Sequence, residues 1–148
     1  MPLANYTTSV SAQKTVAEIQ EILVKHGAKQ ILMNYSDDGV VESLSFIVAT
    51  PYGNMPIRLP VNAKPILKVL ERQRVPRHLQ TNEQAVKVAW RIVKDWVRAQ
   101  MAILETEMVR MEQIFLPYMV TDDKKTLYET MVEKKFFLTG PQDKGGTP

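Results

Sequence analysis

The sequence predicts an α+β fold, and three observations support this class. Apolar residues recur at helical spacing after Thr15, apolar and polar residues alternate between residues 41 and 59, and residues 82–115 form one long helical pattern. A small antiparallel sheet buries one face, and the helices must cover it. We therefore expect an N-terminal helix, a three-stranded antiparallel meander, then a short helix, a long central helix and a C-terminal helix packed on one sheet face.

The first helix has signals at both ends. Thr15 and Glu18 stand at the spacing of a capping box, in which the two side chains bond the free amides at a helix start. Ile19 and Leu23 share one apolar face, and Gly27 suits the left-handed residue that ends many helices. We predict a helix that starts near Thr15 and ends before Gly27.

Four segments have the composition of strands. Asp37, Asp38 and Gly39 make a hairpin turn, and residues 51–54 make a second turn. Pro56 and Pro60 lack the amide hydrogen that a ladder needs, which predicts an edge position for the last strand. The predicted strands are residues 6–10, 30–35, 41–50 and 55–59.

The second half of the chain reads as helical. Asn62 is a candidate N-cap for the short helix, and Pro76 follows its end. Thr81 and Gln84 form a second capping-box pattern at the start of the long helix, which Pro117 closes. The last helix is predicted over residues 123–137, with Asp122 and Asp123 at its positive end.

Length and composition favour one globular domain. The chain has 148 residues, of which 45% are hydrophobic and 24% charged, and it contains no cysteine. We expect one domain over residues 1–138 and a disordered tail over residues 139–148. Its start resembles no signal peptide and no apolar run reaches membrane length, so we expect a cytoplasmic protein with no membrane partner.

The motifs of common catalytic chemistry are missing from the sequence. His26 and His78 lack the paired spacing of a zinc helix, and the six glycines form no phosphate-binding loop. Nucleophile-elbow and thiol motifs are also missing. We therefore predict no catalytic residue, no metal site and no cofactor, although an enzyme whose residues converge only in space stays open.

Positive charge is concentrated in the middle of the chain. Residues 58–98 hold ten basic and three acidic residues, whereas the whole chain has a net charge of only +3. Such a segment is typical of a phosphate-binding surface, but a solvated surface has the same pattern. The main hypothesis is a non-enzymatic nucleic-acid-binding protein, with Tyr52 as an exposed ring for base stacking. The predicted backbone contacts are Lys68, Arg72, Arg74, Arg77, Lys87, Arg91, Lys94 and Arg98.

A protein-interaction module is the alternative hypothesis. The long helix is apolar around most of its girth. Its basic stripe continues into Glu105 and Glu112, and the stripe consists of Lys87, Arg91, Lys94 and Arg98. Two antiparallel copies would bring basic halves against acidic halves, so the helix is a candidate homodimer interface. Such a module would modulate a partner protein, which could be encoded by the host or by a mobile genetic element. The predicted interface residues are Trp90, Met101, Leu104 and Met108.

Four segments carry a resemblance to known proteins: residues 6–8 (YTT), 15–28, 85–100 (AVKVAWRIVKDWVRAQ) and 115–118 (FLPY). In these segments the chain resembles small uncharacterised proteins encoded by bacteriophages and integrated elements. The resemblance implies a mobile-element context, in which small proteins handle DNA or RNA or bind a host protein. The order helix, three strands, helix is also similar to that of double-stranded-RNA-binding domains.

Overall fold

The computed structural model describes residues 1–135, which form five α-helices and a three-stranded antiparallel sheet. The predicted α+β class is confirmed. The predicted tail and the end of the last predicted helix lie outside the described residues. The elements are α1 (Ala12–Lys25), β1 (Ala28–Tyr35), β2 (Val41–Thr50), β3 (Gly53–Arg58), α2 (Ala63–Arg72), α3 (Asn82–Glu105), α4 (Met111–Phe115) and α5 (Leu127–Glu133), with 3₁₀ turns at Arg77–Leu79 and Leu116–Tyr118.

The sheet has β2 in the centre and β1 and β3 as its edges. Phe46 of β2 stands opposite Ile31 on one side and Ile57 on the other, so these three side chains share one face. The predicted edge position of the proline-containing strand is confirmed. The amide of Val120 donates to the carbonyl of Pro56 at 2.8 Å, which covers part of that edge.

The main core lies between the sheet and α1 and α3. Leu44, Phe46 and Ile57 are at most 1% exposed and pack with Ile19 of α1 and Val97 of α3. Burying an aliphatic or aromatic side chain of this size contributes about 1.5–3 kcal/mol. On the opposite face of the sheet Leu32 is 61% exposed, and α5 packs beside the 3₁₀ turn at Leu116–Tyr118.

A second, smaller core joins α2 to the first half of α3. Leu70, Val75 and Ala85 are its buried members. Leu3 and Tyr6 of the N-terminal segment pack against them. This cluster anchors α2 and the connection that follows it on the first turns of α3.

The prediction of one helix over residues 82–115 is wrong, because α3 ends at Glu105. The Thr106 hydroxyl donates to the carbonyl of Ile103, and Glu107 adopts a left-handed φ of 62°. The chain turns there and forms α4, whose Phe115 is fully buried between Phe46 and Trp96 at ring distances of 5.5 and 5.8 Å. A continuous helix would extend Phe115 about 15 Å beyond Glu105 and leave it without this contact.

The predicted capping box at Thr15 and Glu18 is also wrong. The first helix begins at Ala12, and the Ser11 hydroxyl accepts from the amide of Lys14 at 3.1 Å. Thr15 is therefore inside the helix and fully buried, and Glu18 is free to bond another element. The predicted end is confirmed, because Gly27 follows the cap with a φ of 104°.

The N-terminal strand predicted at residues 6–10 is not formed. This segment makes turns along α3, where the Gln84 side-chain amide donates to the carbonyls of Tyr6 and Thr8 at 2.9 Å each. Thr81 caps α3 as predicted, since its hydroxyl accepts from the Gln84 amide. The Gln84 side chain binds the N-terminal segment instead of completing a capping box.

The last helix starts later than predicted, at Leu127. Thr126 and Glu129 form its capping box, with amide-to-side-chain distances of 2.8 and 3.2 Å. Asp122 and Asp123 lie in the preceding turn, where the amide of Thr121 donates to the carbonyl of Lys125. The two aspartates are therefore turn residues and not first-turn residues of the helix.

Candidate nucleic-acid interface

A row of exposed cations follows α2 and the connection to α3. Lys64, Lys68 and Arg72 recur every four residues on α2, so their side chains lie above one another on one side of the helix. Arg74 and Arg77 follow in the connection after the helix ends. All five side chains are exposed, and together they are called the basic face below.

The sequence of α2 explains why this face points to solvent. Ile66, Leu67 and Leu70 pack into the second core, which fixes the orientation of the helix. The Asn62 side chain accepts from the amide of Lys64 at 3.2 Å and caps the first turn as predicted. Lys64, Lys68 and Arg72 lie on the opposite side of the helix and are exposed to solvent.

The end of α2 holds Arg74 in an unusual conformation. The amide of Val75 donates to the carbonyl of Leu70 at 3.3 Å, and the amide of Arg74 donates to the carbonyl of Glu71 at 3.1 Å. These two bonds define a Schellman motif, in which the left-handed residue is usually glycine. Arg74 occupies that residue with a φ of 54°. A left-handed non-glycine residue costs about 1 kcal/mol, and here it exposes a guanidinium group.

The basic face has no acidic partner within residues 1–135. None of its five cations forms an ion pair with those residues, and Glu71 is the one acid among residues 62–80. Unpaired like charges on one surface create a positive potential that attracts polyanions. The face therefore retains the charge that the sequence predicted for the middle of the chain.

The stripe on α3 is used differently. The Lys94 ammonium lies 2.7 Å from one carboxylate oxygen of Glu18, and the Arg91 guanidinium lies 3.1 Å from the other. The Lys94 side chain is only 6% exposed. The hydrogen bond from Lys94, with the charges of Lys94 and Arg91, lowers the pKa of the Glu18 carboxyl.

This pairing corrects two of the predicted nucleic-acid contacts. Arg91 and Lys94 share the Glu18 carboxylate and join α3 to α1, and their side chains are only 18% and 6% exposed, so they do not lie on a free cationic surface. Lys87 is half-buried and Arg98 is exposed, and neither forms an ion pair with residues 1–135. The eight predicted cationic contacts therefore fall into three groups. Four lie on the basic face (Lys68, Arg72, Arg74 and Arg77), two are isolated (Lys87 and Arg98), and two are structural (Arg91 and Lys94).

Tyr52 is 86% exposed but lies far from the basic face. Its turn neighbours Thr50 and Pro51 line a cavity with Leu104, at the C-terminal end of α3. The basic face is anchored near Ala85, nineteen residues earlier on α3. That separation corresponds to about 28 Å of helix. The structure does not bring Tyr52 and the basic face into one site.

The predicted dimer interface loses two of its four residues. Trp90 and Met101 are 1% and 2% exposed within one copy of the chain, because they face α1, α2 and the sheet. Leu104 is half-buried against the same core, whereas Met108 is 68% exposed after the helix break. The stripe residue Glu105 bonds His26 of the same chain. The predicted pairing of two α3 helices is therefore not supported by this arrangement.

His26 joins the ends of α1 and α3. Its ring nitrogens lie 2.9 Å from the carbonyl of Ile22 and 3.0 Å from a carboxylate oxygen of Glu105. Both partners accept hydrogen bonds, so the imidazole that donates at both nitrogens is favoured. The bond to the Ile22 carbonyl, followed by the bond to Glu105, raises the pKa of His26.

Two features of the surface were not predicted. Lys64 is one of the ten basic residues of the central segment and is not one of the predicted contacts, although its spacing from Lys68 and Arg72 identifies it. The second feature is a cavity of about 280 Å³ next to Lys64, with Glu42, Asn62 and Trp90 in its wall. Because its residues come from β2, α3 and the segment before α2, no local pattern could predict it.

Residues 1–135 contain no cluster of three histidine, aspartate or glutamate side chains able to hold a metal ion. Within the same part of the chain, no helix combines the length and hydrophobicity that crossing a bilayer requires. The chain matches no protein-family model, no curated protein and no solved structure. A functional interpretation therefore depends on the surface itself.

Proposed function

We propose that this protein binds nucleic acid through the phosphate backbone and has no catalytic role, as an accessory protein of a phage or mobile element. The contacts come from Lys64, Lys68, Arg72, Arg74 and Arg77. The mobile-element context is supported by the sequence resemblance alone. The single observation that supports binding is the contrast in pairing: the basic face has no acidic partner in residues 1–135, whereas Arg91 and Lys94 do.

The shape of the face fits backbone contact more than base readout. Neighbouring cations on α2 are about 6 Å apart along the helix axis, so they can meet successive anionic groups. Arginine and lysine contacts to phosphates position a protein on nucleic acid but carry no sequence information. We therefore expect affinity that falls steeply with salt concentration.

A salt titration with three arginines replaced tests this proposal. Arg72→Gln, Arg74→Gln and Arg77→Gln are combined, and affinity for fluorescent oligonucleotides is measured by anisotropy at several salt concentrations. Affinity should fall about tenfold or more at low salt, and the slope of log K against log salt should become smaller by about 2.

A matched control removes three exposed lysines elsewhere. Lys14→Gln, Lys29→Gln and Lys134→Gln change the net charge by the same amount, and none of the three forms an ion pair with residues 1–135. This control should bind almost as well as the wild type. Equal losses in both triple variants would show a general charge effect, and unchanged binding in the arginine variant would refute the proposal. Arg98→Gln checks whether the site extends along α3.

A second candidate is homodimerisation through the outer face of the sheet. Leu32 on this face is 61% exposed and lines a surface depression with Ile47 and Pro56. A second copy packed face to face would bury these apolar groups on both chains. A mass measurement in solution should show a dimer that Leu32→Asp disrupts, whereas a monomer at all concentrations excludes this candidate.

A further inference from the structure

A small cavity opens beside the first turn of α2, between the β1–β2 hairpin and α3. Its volume is about 280 Å³. Val61, Val86 and Trp90 supply apolar wall, and Glu42, Asn62 and Lys64 supply polar groups. Small-ligand sites usually measure about 300–1,000 Å³, so this cavity suits a ligand no larger than a base or a nucleoside.

We infer that this cavity receives one unpaired base of a single-stranded nucleic acid whose phosphates lie along the basic face. The inference rests on the function proposed above and narrows it to single strands. Bases of an intact duplex are stacked and paired, so none can enter a pocket unless it is flipped out.

Lys64 connects the cavity to the basic face. It lines the cavity and is also the first cation of the row that continues through Lys68 and Arg72. A strand that follows this row brings its sugar and base to the cavity mouth at Lys64. The two sites are thus continuous on the surface, and the charge of the row complements the strand that the cavity would read.

The wall of the cavity offers both kinds of contact that a base needs. Val61 and Val86 can replace water on the faces of a planar ring. The carboxylate of Glu42 is exposed and has no ion-pair partner among residues 1–135. The Asn62 oxygen accepts from the Lys64 amide, which leaves the Asn62 amide hydrogens as donors.

Trp90 forms an apolar part of this wall. It is only 1% exposed, and it lines the cavity together with Val86. The polar groups of Glu42 and Asn62 therefore favour a base with both an amino donor and ring acceptors.

This combination distinguishes cytosine from thymine. A carboxylate accepts a hydrogen bond from the amino group of cytosine, whereas thymine has a carbonyl oxygen at the same position. Glu42 should therefore attract cytosine and repel thymine. Oligodeoxycytidine should bind about fivefold or more tightly than oligodeoxythymidine of equal length.

The test compares these two homopolymers with cavity variants. Val61→Phe and Val86→Phe each fill the cavity from a half-buried position, and Val24→Phe adds the same bulk on the exposed side of α1. Each filled variant should bind the two homopolymers equally and bind oligodeoxythymidine as the wild type does. Val24→Phe should keep the preference for cytosine. Thermal unfolding establishes that each variant is folded. Two filling positions are used so that the test still works if one of the two variants does not fold.

A second pair of variants tests Glu42 with a matched change in net charge. Glu42→Gln provides both a donor and an acceptor, so the preference for cytosine should disappear. Glu21→Gln removes one exposed acidic charge from α1 and should keep that preference. The measured quantity is the ratio of the affinity for oligodeoxycytidine to the affinity for oligodeoxythymidine, compared between the two variants. The ratio is used because loss of any acidic charge raises the affinity for both oligonucleotides.

The outcomes separate this inference from the proposed function. Salt-sensitive binding that depends on Arg72, Arg74 and Arg77 but shows no cytosine preference overturns the inference alone. So does a preference that persists in both filled variants. Free cytidine monophosphate that binds more tightly than the oligonucleotide would make a free nucleotide the occupant and also overturn it. If no oligonucleotide binds at low salt, the proposed function fails and the inference fails with it.

Discussion

The basic face and the α3 stripe contain the same residue types but have different surroundings. Lys68 and Arg72 project into water without an acidic partner in residues 1–135, whereas Arg91 and Lys94 converge on one carboxylate of α1. The difference arises from packing, because α1 packs against Arg91 and Lys94, whereas the cations of the basic face are exposed. A cation on a helix is thus a binding group or a structural group according to what packs beside it.

The largest expected effect on stability comes from removing the Glu18 carboxylate, which pairs with Arg91 and Lys94 of the stripe. Glu18→Gln leaves Lys94 buried beside a neutral amide, and the free energy of unfolding should fall by about 2 kcal/mol. Denaturant unfolding measures this loss. Glu21→Gln, an exposed change on the same helix, should alter stability by less than about 0.5 kcal/mol.

Two further measurements sharpen this result. A double-mutant cycle with Lys94→Met isolates the pair, because Glu18 retains Arg91 when the lysine is lost. The lowered pKa of Glu18 means that its contribution is present above the ordinary pKa and is lost as pH falls through the folded-state value. If Glu18→Gln were as stable as Glu21→Gln, the stripe would not be structural.

A smaller effect of opposite sign is expected on the basic face. Arg74→Gly places glycine in the left-handed position of the Schellman motif, so the free energy of unfolding should rise by about 1 kcal/mol. The same change removes a cation, and oligonucleotide affinity should fall. Arg74→Ala is the control, since it removes the charge but keeps a side chain at the strained position. Equal stability of the glycine and alanine variants would contradict the strain argument.

The smallest effect concerns the pH dependence of the bond between α1 and α3. The pKa of His26 is raised in the folded chain, so its contribution is complete below the ordinary value of 6.5 and disappears as pH rises through the folded-state value. Because Glu105 is 69% exposed, the contribution should be at most about 1 kcal/mol.

Comparison of wild type with His26→Gln at acidic and alkaline pH measures this contribution. The stability difference between the two proteins should be larger at the acidic pH. Glu105→Gln should reduce the pH dependence only in part, because the carbonyl of Ile22 remains as an acceptor. A difference that grows with rising pH would have the wrong sign for this arrangement.

Sequence reasoning identified the elements better than it identified their partners. The alternation in β2 and the caps at Asn62, Thr81 and Gly27 depend on residues a few positions apart, and all are observed. The helix break at Thr106 has neither glycine nor proline. The break lets Phe115 pack in the core between Phe46 and Trp96. No local sequence pattern predicts this contact.

The two predicted capping boxes fail for different reasons. Helix α1 begins before Thr15, which is therefore not its cap, whereas Thr81 caps α3 but the Gln84 side chain bonds the N-terminal segment. A polar side chain in the first turns of a helix can satisfy a nearby amide or a distant group. Local spacing cannot decide between these partners, because the distant partner is present only in the folded chain.

By itself, the sequence determined the α+β class, the order of the strands, the edge position of the proline-containing strand and the concentration of positive charge in the middle of the chain. Tertiary structure alone decided where α3 ends and which of the central cations are free. It also decided that a cavity adjoins Lys64. Periodicity and capping act over a few residues, whereas Glu18 and Arg91 are 73 positions apart and meet only because α1 packs on α3.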